Sequence, residues 1–382
     1  AISGQLNASG DRAVPAWGDA GTLQTLDLCL SCKACKSECP SNVDVARLKA
    51  EYLAQTYRHS GQVPLSARVF GNIRILNRLG SAAPSLANWL ASLRPMRAIV
   101  NNLLGLSPRR SVPRFAESLY RWFARRPEPD LPADAPKIVL FADCFTTFNE
   151  PHIGQAAFEV LEGLGYRVLL PQVGCCGRSM VSVGLLEDAI RTADATLSQL
   201  VPALREQGVA GLVVCEPSCL AMMKDEWLQL KLRTPMEDRR LVSGLATMLE
   251  QFVEERWDSH PRRPEHSQTD GPAVLLHAHC HQKALLGEQT SSALLRRLMG
   301  KRLSVLPSGC CGMAGSFGYS ADKYEVSMKI GEQSLFGLLR DAPADAVVLA
   351  PGTSCRHQIG DGTPRTAMHP IEIVRDVLVA DE

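Results

Sequence analysis

Tyr166-Arg167-Val168-Leu169-Leu170-Pro171-Gln172-Val173-Gly174-Cys175-Cys176-Gly177 is a short apolar run closed by Cys-Cys-Gly. The same order returns as Leu303-Ser304-Val305-Leu306-Pro307-Ser308-Gly309-Cys310-Cys311-Gly312. An apolar run this brief, bounded by turn formers, reads as a buried strand. Working outward, residues 137–142 form another such run ending at Cys144, and residues 153–164 carry a helical pattern. Downstream, a helix over 185–207 leads to a strand over 211–214 that ends at Cys215-Glu216-Pro217-Ser218-Cys219. This alternation predicts βαβ units and a parallel sheet.

The alternation then repeats. Residues 273–277 read as a strand ending at Cys280, 294–299 as a helix, 303–306 as a strand, and 346–349 as a strand leading to Ser354-Cys355. Cys144, Cys175, Cys176 and Cys219 thus recur 135 or 136 residues later as Cys280, Cys310, Cys311 and Cys355. Such regularity indicates an internal duplication. Strand ends of an open α/β sheet converge on one crevice, so each half is expected to gather its cysteines there as metal ligands. The match has one gap: Cys215 aligns with Pro351, leaving five cysteines in the first half and four in the second.

A third cysteine group stands upstream in Cys29-Leu30-Ser31-Cys32-Lys33-Ala34-Cys35-Lys36-Ser37-Glu38-Cys39-Pro40. Cys29, Cys32, Cys35 and Cys39 have the spacing of a bacterial ferredoxin loop, in which thiolates from one tight turn converge on a 4Fe-4S cluster. Pro40 ends the loop and presets the entry into the next element. Structural zinc sites usually pair two Cys-x-x-Cys knuckles across a longer gap, so iron fits this loop better, while zinc stays open for the second repeat. Behind the loop, Val45, Leu48, Tyr52 and Leu53 recur at helical spacing, with Asn42 and Asp44 as possible caps.

The 382 residues suit two or three domains, and 41 Lys and Arg against 40 Asp and Glu give a net charge of +1. That balance offers no global case for binding nucleic acid or membrane. Thirteen cysteines, an odd count with two adjacent pairs, argue against a secreted disulfide framework and for a reducing, cytoplasmic setting. No apolar run is long enough to span a membrane. The opening at Ala1 without Met suggests a processed product or a piece of a longer protein, and residues 1–22 read as a loosely held lead-in. Between residues 94 and 126 eight arginines (94, 97, 109, 110, 114, 121, 125, 126) face one acid, Glu117. This excess marks either a solvated connector or a surface that docks an acidic partner, with nucleic acid disfavoured for want of a motif. Pro84, Pro95, Pro108 and Pro113 should break the segment into short helices.

The fold class is therefore multidomain α and α/β. A helical ferredoxin-like iron-sulfur domain (1–60) is followed by an arginine-rich helical connector (61–126) and a proline-spaced linker (127–136). The first Rossmann-like repeat (137–257), a polar linker (258–272) and the second repeat (273–382) complete the chain. His277, His279 and His281 alternate along the strand leading past Cys280, which would place them on one side and Cys280 on the other. Either they are satisfied core residues, or at least one tunes the site by hydrogen bonding or moves protons, and the same holds for His357. Met313, Phe317 and Tyr319 read as packing.

The cysteine pattern resembles the cysteine-rich CCG domain of the B subunit of heterodisulfide reductase, the glycolate oxidase iron-sulfur subunit and the C subunit of anaerobic glycerol-3-phosphate dehydrogenase. More narrowly, Leu28–Cys35, His279-Cys280-His281-Gln282-Lys283, residues 309–318 and Ser354-Cys355-Arg356-His357-Gln358 are similar to the C-terminal part of FAD-linked D-2-hydroxyacid dehydrogenases of the D-2-hydroxyglutarate and D-lactate type. The resemblance implies electrons passing from a reduced flavin, through iron-sulfur clusters, to an external acceptor. It also implies FAD on a separate domain or subunit, since the chain has neither Gly-x-Gly-x-x-Gly after a strand nor a Walker loop. By this reading the isolated chain is not catalytic. The alternative the resemblance carries is a heterodisulfide-reductase-like subunit acting on a disulfide or thiol. The chain departs from the fullest family pattern, having Cys215-x-x-x-Cys219 in one half and Cys355 alone in the other, which argues against a five-cysteine non-cubane cluster in both halves.

Overall fold

The computed structural model describes residues 17–264 and 269–379, so most of the expected lead-in, up to residue 16, and residues 265–268 of the second linker lie outside the described residues. Among the described residues eight strands form two four-stranded sheets. The first consists of β1 (Lys137–Phe141), β2 (Arg167–Leu169), β3 (Val209–Val214) and β4 (Ala246–Met248). The second consists of β5 (Val274–Leu276), β6 (Leu303–Val305), β7 (Val347–Leu349) and β8 (Ala367–Met368). All pairings are parallel, and the orders β2-β1-β3-β4 and β6-β5-β7-β8 are the same order repeated. Ile138 to Phe141 are fully buried, as strands covered on both faces must be. Six strands stand where the apolar runs lie. β4 and β8 are additions that no apolar run of the strand type marks.

The halves join through a pair of equivalent contacts. Helix Pro151–Gly163, which follows β1, packs on helix Pro370–Leu378, which follows β8; helix Gln289–Met299, which follows β5, packs on helix Leu249–Glu255, which follows β4. Each contact is the counterpart of the other, so the duplicated halves associate about a pseudo-two-fold axis, as an isologous dimer would. One apolar core runs through both halves, from Ile138 and Phe158 to Leu294 and Ile371.

Helix Val45–Ser60 follows the cysteine loop. The Asp44 side chain accepts the Arg47 N–H at 2.9 Å as its N-cap, and Gly61 (φ 68°) ends it in the left-handed region. It buries Ala46, Ala50 and Tyr52, whereas Leu48 faces solvent. The connector forms helices Leu65–Gly71, Ile73–Ala82, Pro84–Ser92, Arg94–Leu104 and Leu119–Arg125. Pro84 and Pro95 sit in first turns, where a missing N–H is harmless, so they start helices rather than break them.

The arginine excess dissolves largely into internal contacts. Buried Arg110 donates to the Gly318 carbonyl at 2.7 Å and to Ser327 Oγ at 2.8 Å, and pairs with Asp361 at 3.1 Å. Arg126 pairs with Glu162 at 2.6 Å over the rings of Phe123 and Phe158. Arg109 pairs with Glu325, Arg125 with Glu117, and Arg97 donates to the Arg110 carbonyl. What this segment presents instead is apolar: Ile75, Leu79, Leu86, Trp89, Ile99 and Leu103 are each more than half exposed. Among the described residues no helix is long and apolar enough to cross a membrane.

Candidate metal centres

A sheet of order 2-1-3-4 reverses direction between β1 and β3, and ligands of such sheets bind at that switch point, beyond the strand C-termini. The cysteines lie there. Cys144 opens the short helix Cys144–Phe148 after β1, Cys175 and Cys176 follow β2, and Cys219 lies in helix Pro217–Ala221 after β3. Cys144 and Cys175 Sγ are 3.5 Å apart, and Cys176 and Cys219 Sγ 3.1 Å. The second half repeats the pairs: Cys280 with Cys310, and Cys311 with Cys355.

The Cys-Cys-Gly glycines have φ near +90° in both halves (Gly177 91°, Gly312 92°), a conformation that suits glycine. This turn aims N–H groups back at sulfur. Gly177 N–H donates to Cys175 Sγ and Arg178 N–H to Cys176 Sγ, both at 3.4 Å, and Gly312 N–H to Cys310 Sγ at 3.5 Å. Such bonds stabilise thiolates and set the potential of whatever they ligate. Arg74, from the connector, adds a cation to the first half: it donates to the carbonyls of Ala142 (3.0 Å) and Val173 (2.6 Å) and reaches Cys144 Sγ at 3.8 Å. Nothing in the sequence signals Arg74, since its partners lie 68 and more positions away.

Cys215, at the end of β3, stands in a different setting. Burial raises its thiol, and Asp143, Glu250 and Glu216 push the same way against Arg356. Its carbonyl accepts from His369 Nε2 at 3.0 Å across the halves. Glu150 and Arg356 form a second crossing, Nη2 to Oε2 at 2.7 Å, and Thr353 N–H donates to Glu216 at 3.0 Å. Burial would raise the Glu150 carboxyl, but Arg356 overrides it and holds it down to about 2.

The histidines depart from the alternating strand expected of them. β5 ends at Leu276; His277 and His279 lie in the following loop, and Cys280 and His281 begin helix Cys280–Leu285. His279 is its N-cap, accepting the His281 N–H at 3.2 Å. His277 Nδ1 meets Ser308 Oγ at 2.6 Å, and one ligand atom each from His277, Cys311 and Cys355 lies within 4.8 Å of the others. Burial first, then Lys283 and His279, lower His277 to about 3, so its ring is neutral. Tyr319, expected to be packing alone, also hydrogen-bonds through Oη to His357 Nδ1 at 3.1 Å.

The upstream loop closes over both halves. Ser31 (φ 53°) and Lys33 (φ 63°) alternate left-handed turns with their neighbours, an arrangement that points successive N–H groups into a concavity suited to anions. Ser31 N–H donates to Cys29 Sγ and Val45 N–H to Cys35 Sγ, both at 3.4 Å. Burial raises the Cys32 thiol, and Cys280, Cys29 and Cys35 act on it as charged neighbours. At Cys39 the N–H groups of Val43 and Ser41 lower the thiol. Lys33 is buried against Asp44 (3.1 Å), Asp225 (2.6 Å) and Glu226 (2.8 Å), and Glu226 also pairs with Arg178, the residue after the first Cys-Cys-Gly. A cavity of about 220 Å³ is lined by Cys29, Lys49, Tyr57, Phe70, Phe317 and Lys323 among others.

These donor sets fit metal-sulfur centres. Two thiolates bound tetrahedrally to one metal at ~2.3 Å stand ~3.8 Å apart; the Cys144–Cys175 pair at 3.5 Å comes near this spacing, and the Cys176–Cys219 pair at 3.1 Å is shorter. In the repeats Cys144, Cys175, Cys176, Cys219, Cys311 and Cys355 are buried and Cys280 and Cys310 partly so, and the sulfurs of Cys175, Cys176 and Cys310 receive N–H bonds, as metal thiolates do.

Residues 138–224 and 274–360 each match the cysteine-rich CCG domain model. Over 344 residues the chain is 26% identical to the C subunit of anaerobic glycerol-3-phosphate dehydrogenase from Escherichia coli strain K12, covering 89% of this chain and 83% of the relative. It is 29% identical over 356 residues to D-2-hydroxyglutarate dehydrogenase of Pseudomonas putida, covering 91% of this chain but 33% of that protein. It is 27% identical over 256 residues to lactate utilization protein A of an Exiguobacterium strain, covering 65% of this chain and 98% of the relative. Two stretches of this chain therefore match the cysteine-rich CCG domain, in duplicate, and the chain is similar to these three proteins.

Proposed function

We propose that the chain is the iron-sulfur electron-transfer module of a FAD-linked D-2-hydroxyacid dehydrogenase, taking electrons from a flavin carried on a separate domain or subunit and passing them to an external acceptor. The observation that carries this reading is the proximity of Cys32 to Cys280, which brings a ferredoxin-type loop against the second cysteine repeat. Cys29, Cys32, Cys35 and Cys39 would hold one 4Fe-4S cluster, and the two paired sets in the repeats would hold the further centres. Bound there, such clusters supply one-electron chemistry over a wide range of potentials. The chain's own residues bury the thiolates, aim N–H groups at them and fix the loop through the Lys33 ion cluster. The apolar face of residues 73–104 is of the kind that covers itself with a partner, and it supports the reading of a flavoprotein docked on this segment. The domain limits 1–60, 61–126, 127–136, 137–257, 258–272 and 273–382 and a cytoplasmic setting belong to the same proposal.

The test is anaerobic purification with iron, zinc and acid-labile sulfide counted per chain, followed by stopped-flow mixing with photoreduced FAD. Iron with matching sulfide, and visible bleaching as flavin is reoxidised, are expected. Zinc without sulfide would overturn the iron reading, and turnover of a disulfide substrate by the chain alone would favour a heterodisulfide-reductase-like activity instead.

A further inference from the structure

The two repeats are unequal in cysteine, and the structure offers the second a donor of another kind. The first half has Cys215 where the second has Pro351. In the second half His277 enters from the end of β5, where the first half has the apolar Phe141 at the corresponding place. We propose that His277 is a metal ligand of the second repeat, completing with Cys280, Cys310, Cys311 and Cys355 a mixed imidazole-thiolate centre. This rests on the reading of the chain as an iron-sulfur protein and goes beyond it in assigning a nitrogen ligand.

Three observations carry the assignment. A ring nitrogen of His277 and the sulfurs of Cys311 and Cys355 converge within 4.8 Å, with all three residues buried. His277 Nε2 is buried without a hydrogen-bond partner among the described residues, a costly position for a polar atom unless something else binds it. The opposite nitrogen is already engaged. Nδ1 meets Ser308 Oγ at 2.6 Å, and that hydroxyl faces the Leu306 carbonyl at 3.5 Å. A proton on Nδ1 donated to Ser308, passed on as a hydroxyl bond to Leu306, fixes the tautomer that leaves the Nε2 lone pair free. This is the usual outer support of a metal-bound histidine. Replacing a thiolate by a neutral imidazole removes negative charge from the centre, so the second repeat would accept electrons more readily than an all-cysteine counterpart, as histidine-ligated iron-sulfur centres do.

The experiment is pulsed EPR on the anaerobically purified, dithionite-reduced chain grown with natural-abundance and with ¹⁵N-histidine. Iron and sulfide content are measured alongside, for wild type, His277→Gln, His277→Cys and His279→Gln. The expected result is a nitrogen coupling of directly bound imidazole that changes with the ¹⁵N label, disappears in His277→Gln and survives in His279→Gln. His277→Cys should keep its iron, lose the coupling and become harder to reduce. An iron-loaded wild type without a histidine coupling, or a coupling that persists in His277→Gln, overturns the assignment and leaves the electron-transfer reading intact. The wild-type label comparison stands even if a variant fails to fold. A chain without iron or labile sulfide would overturn the iron-sulfur reading, and the assignment with it.

Discussion

His281 donates from Nε2 to the Ser31 carbonyl at 2.9 Å, which bonds the residue after Cys280 to the loop containing Cys29, Cys32 and Cys35. The bond spans 250 positions and is buried. It is a direct polar tie between the loop and the second repeat. His281→Phe keeps the ring volume but leaves the Ser31 carbonyl unpaired, at a cost of about 1–2 kcal/mol. Hydrogen exchange at the amides of residues 29–36 should accelerate about tenfold in the variant while the strands of both sheets are unchanged. Equal exchange in the two proteins would show that the bond does not hold the loop.

Lys33 makes the corresponding tie to the first repeat, with three carboxylates around one ammonium. Burial lowers its basicity, but Glu226 and Asp225 outweigh that and keep it charged. Lys33→Met would strand buried acids without their cation, and breaking a buried pair from one side costs about 3–5 kcal/mol. We expect a corresponding loss in urea unfolding. Lys33→Arg should recover part of it. A Met variant as stable as wild type would mean that Lys36, which reaches Asp225 at 2.5 Å, suffices.

How much of the fold and the site is legible in the sequence depends on the range of the interaction. The cysteine spacings, the six strands that apolar runs mark and the cap of Asp44 on helix Val45–Ser60 are local features, and local pattern is enough to find them. The three histidines look like strand alternation because β5 ends one residue before His277, a boundary that periodicity does not resolve. The arginines between 94 and 126 look like a basic face because their partners, such as Asp361 and Glu325 for Arg110 and Arg109, lie more than 200 positions away. Lys33 is hidden inside the cysteine motif, and its role depends on Asp225 and Glu226 from a π-helical turn in the first repeat.

The two Cys-Cys-Gly glycines, equivalent in sequence, should differ in tolerance. A Cβ at Gly312 would stand 2.3 Å from the Ser327 carbonyl oxygen, whereas one at Gly177 would find its nearest neighbour at 3.5 Å. Both substitutions pay the left-handed penalty of about 1–2 kcal/mol, and Gly312→Ala adds an overpacking cost of about 1–3 kcal/mol. Gly312→Ala should therefore melt well below Gly177→Ala and lose metal from the second repeat first. Matching thermal transitions for the two variants would contradict the geometry.

Glu250 lies in the first turn of the helix after β4 and acts on the thiol of Cys215. It is fully buried, and neither carboxyl oxygen has a hydrogen-bond partner among the described residues. Burial, opposed only by its own backbone N–H, raises its carboxyl to about 7 from an ordinary 4.5. Between those two values the folded chain holds a proton that the unfolded chain has released, so folding loses free energy as pH rises, by about 3 kcal/mol across the interval. Glu150 acts in the opposite sense: with its carboxyl held at about 2, its contribution is complete above pH 4.5 and is lost only as pH falls toward 2. Glu250→Gln removes the first dependence and leaves the second. In urea unfolding, the variant should gain on wild type by about 3 kcal/mol between pH 4.5 and pH 8, while both lose stability alike below pH 4.5. Parallel profiles for the two proteins from pH 4.5 to 8 would mean that Glu250 is not held protonated by burial.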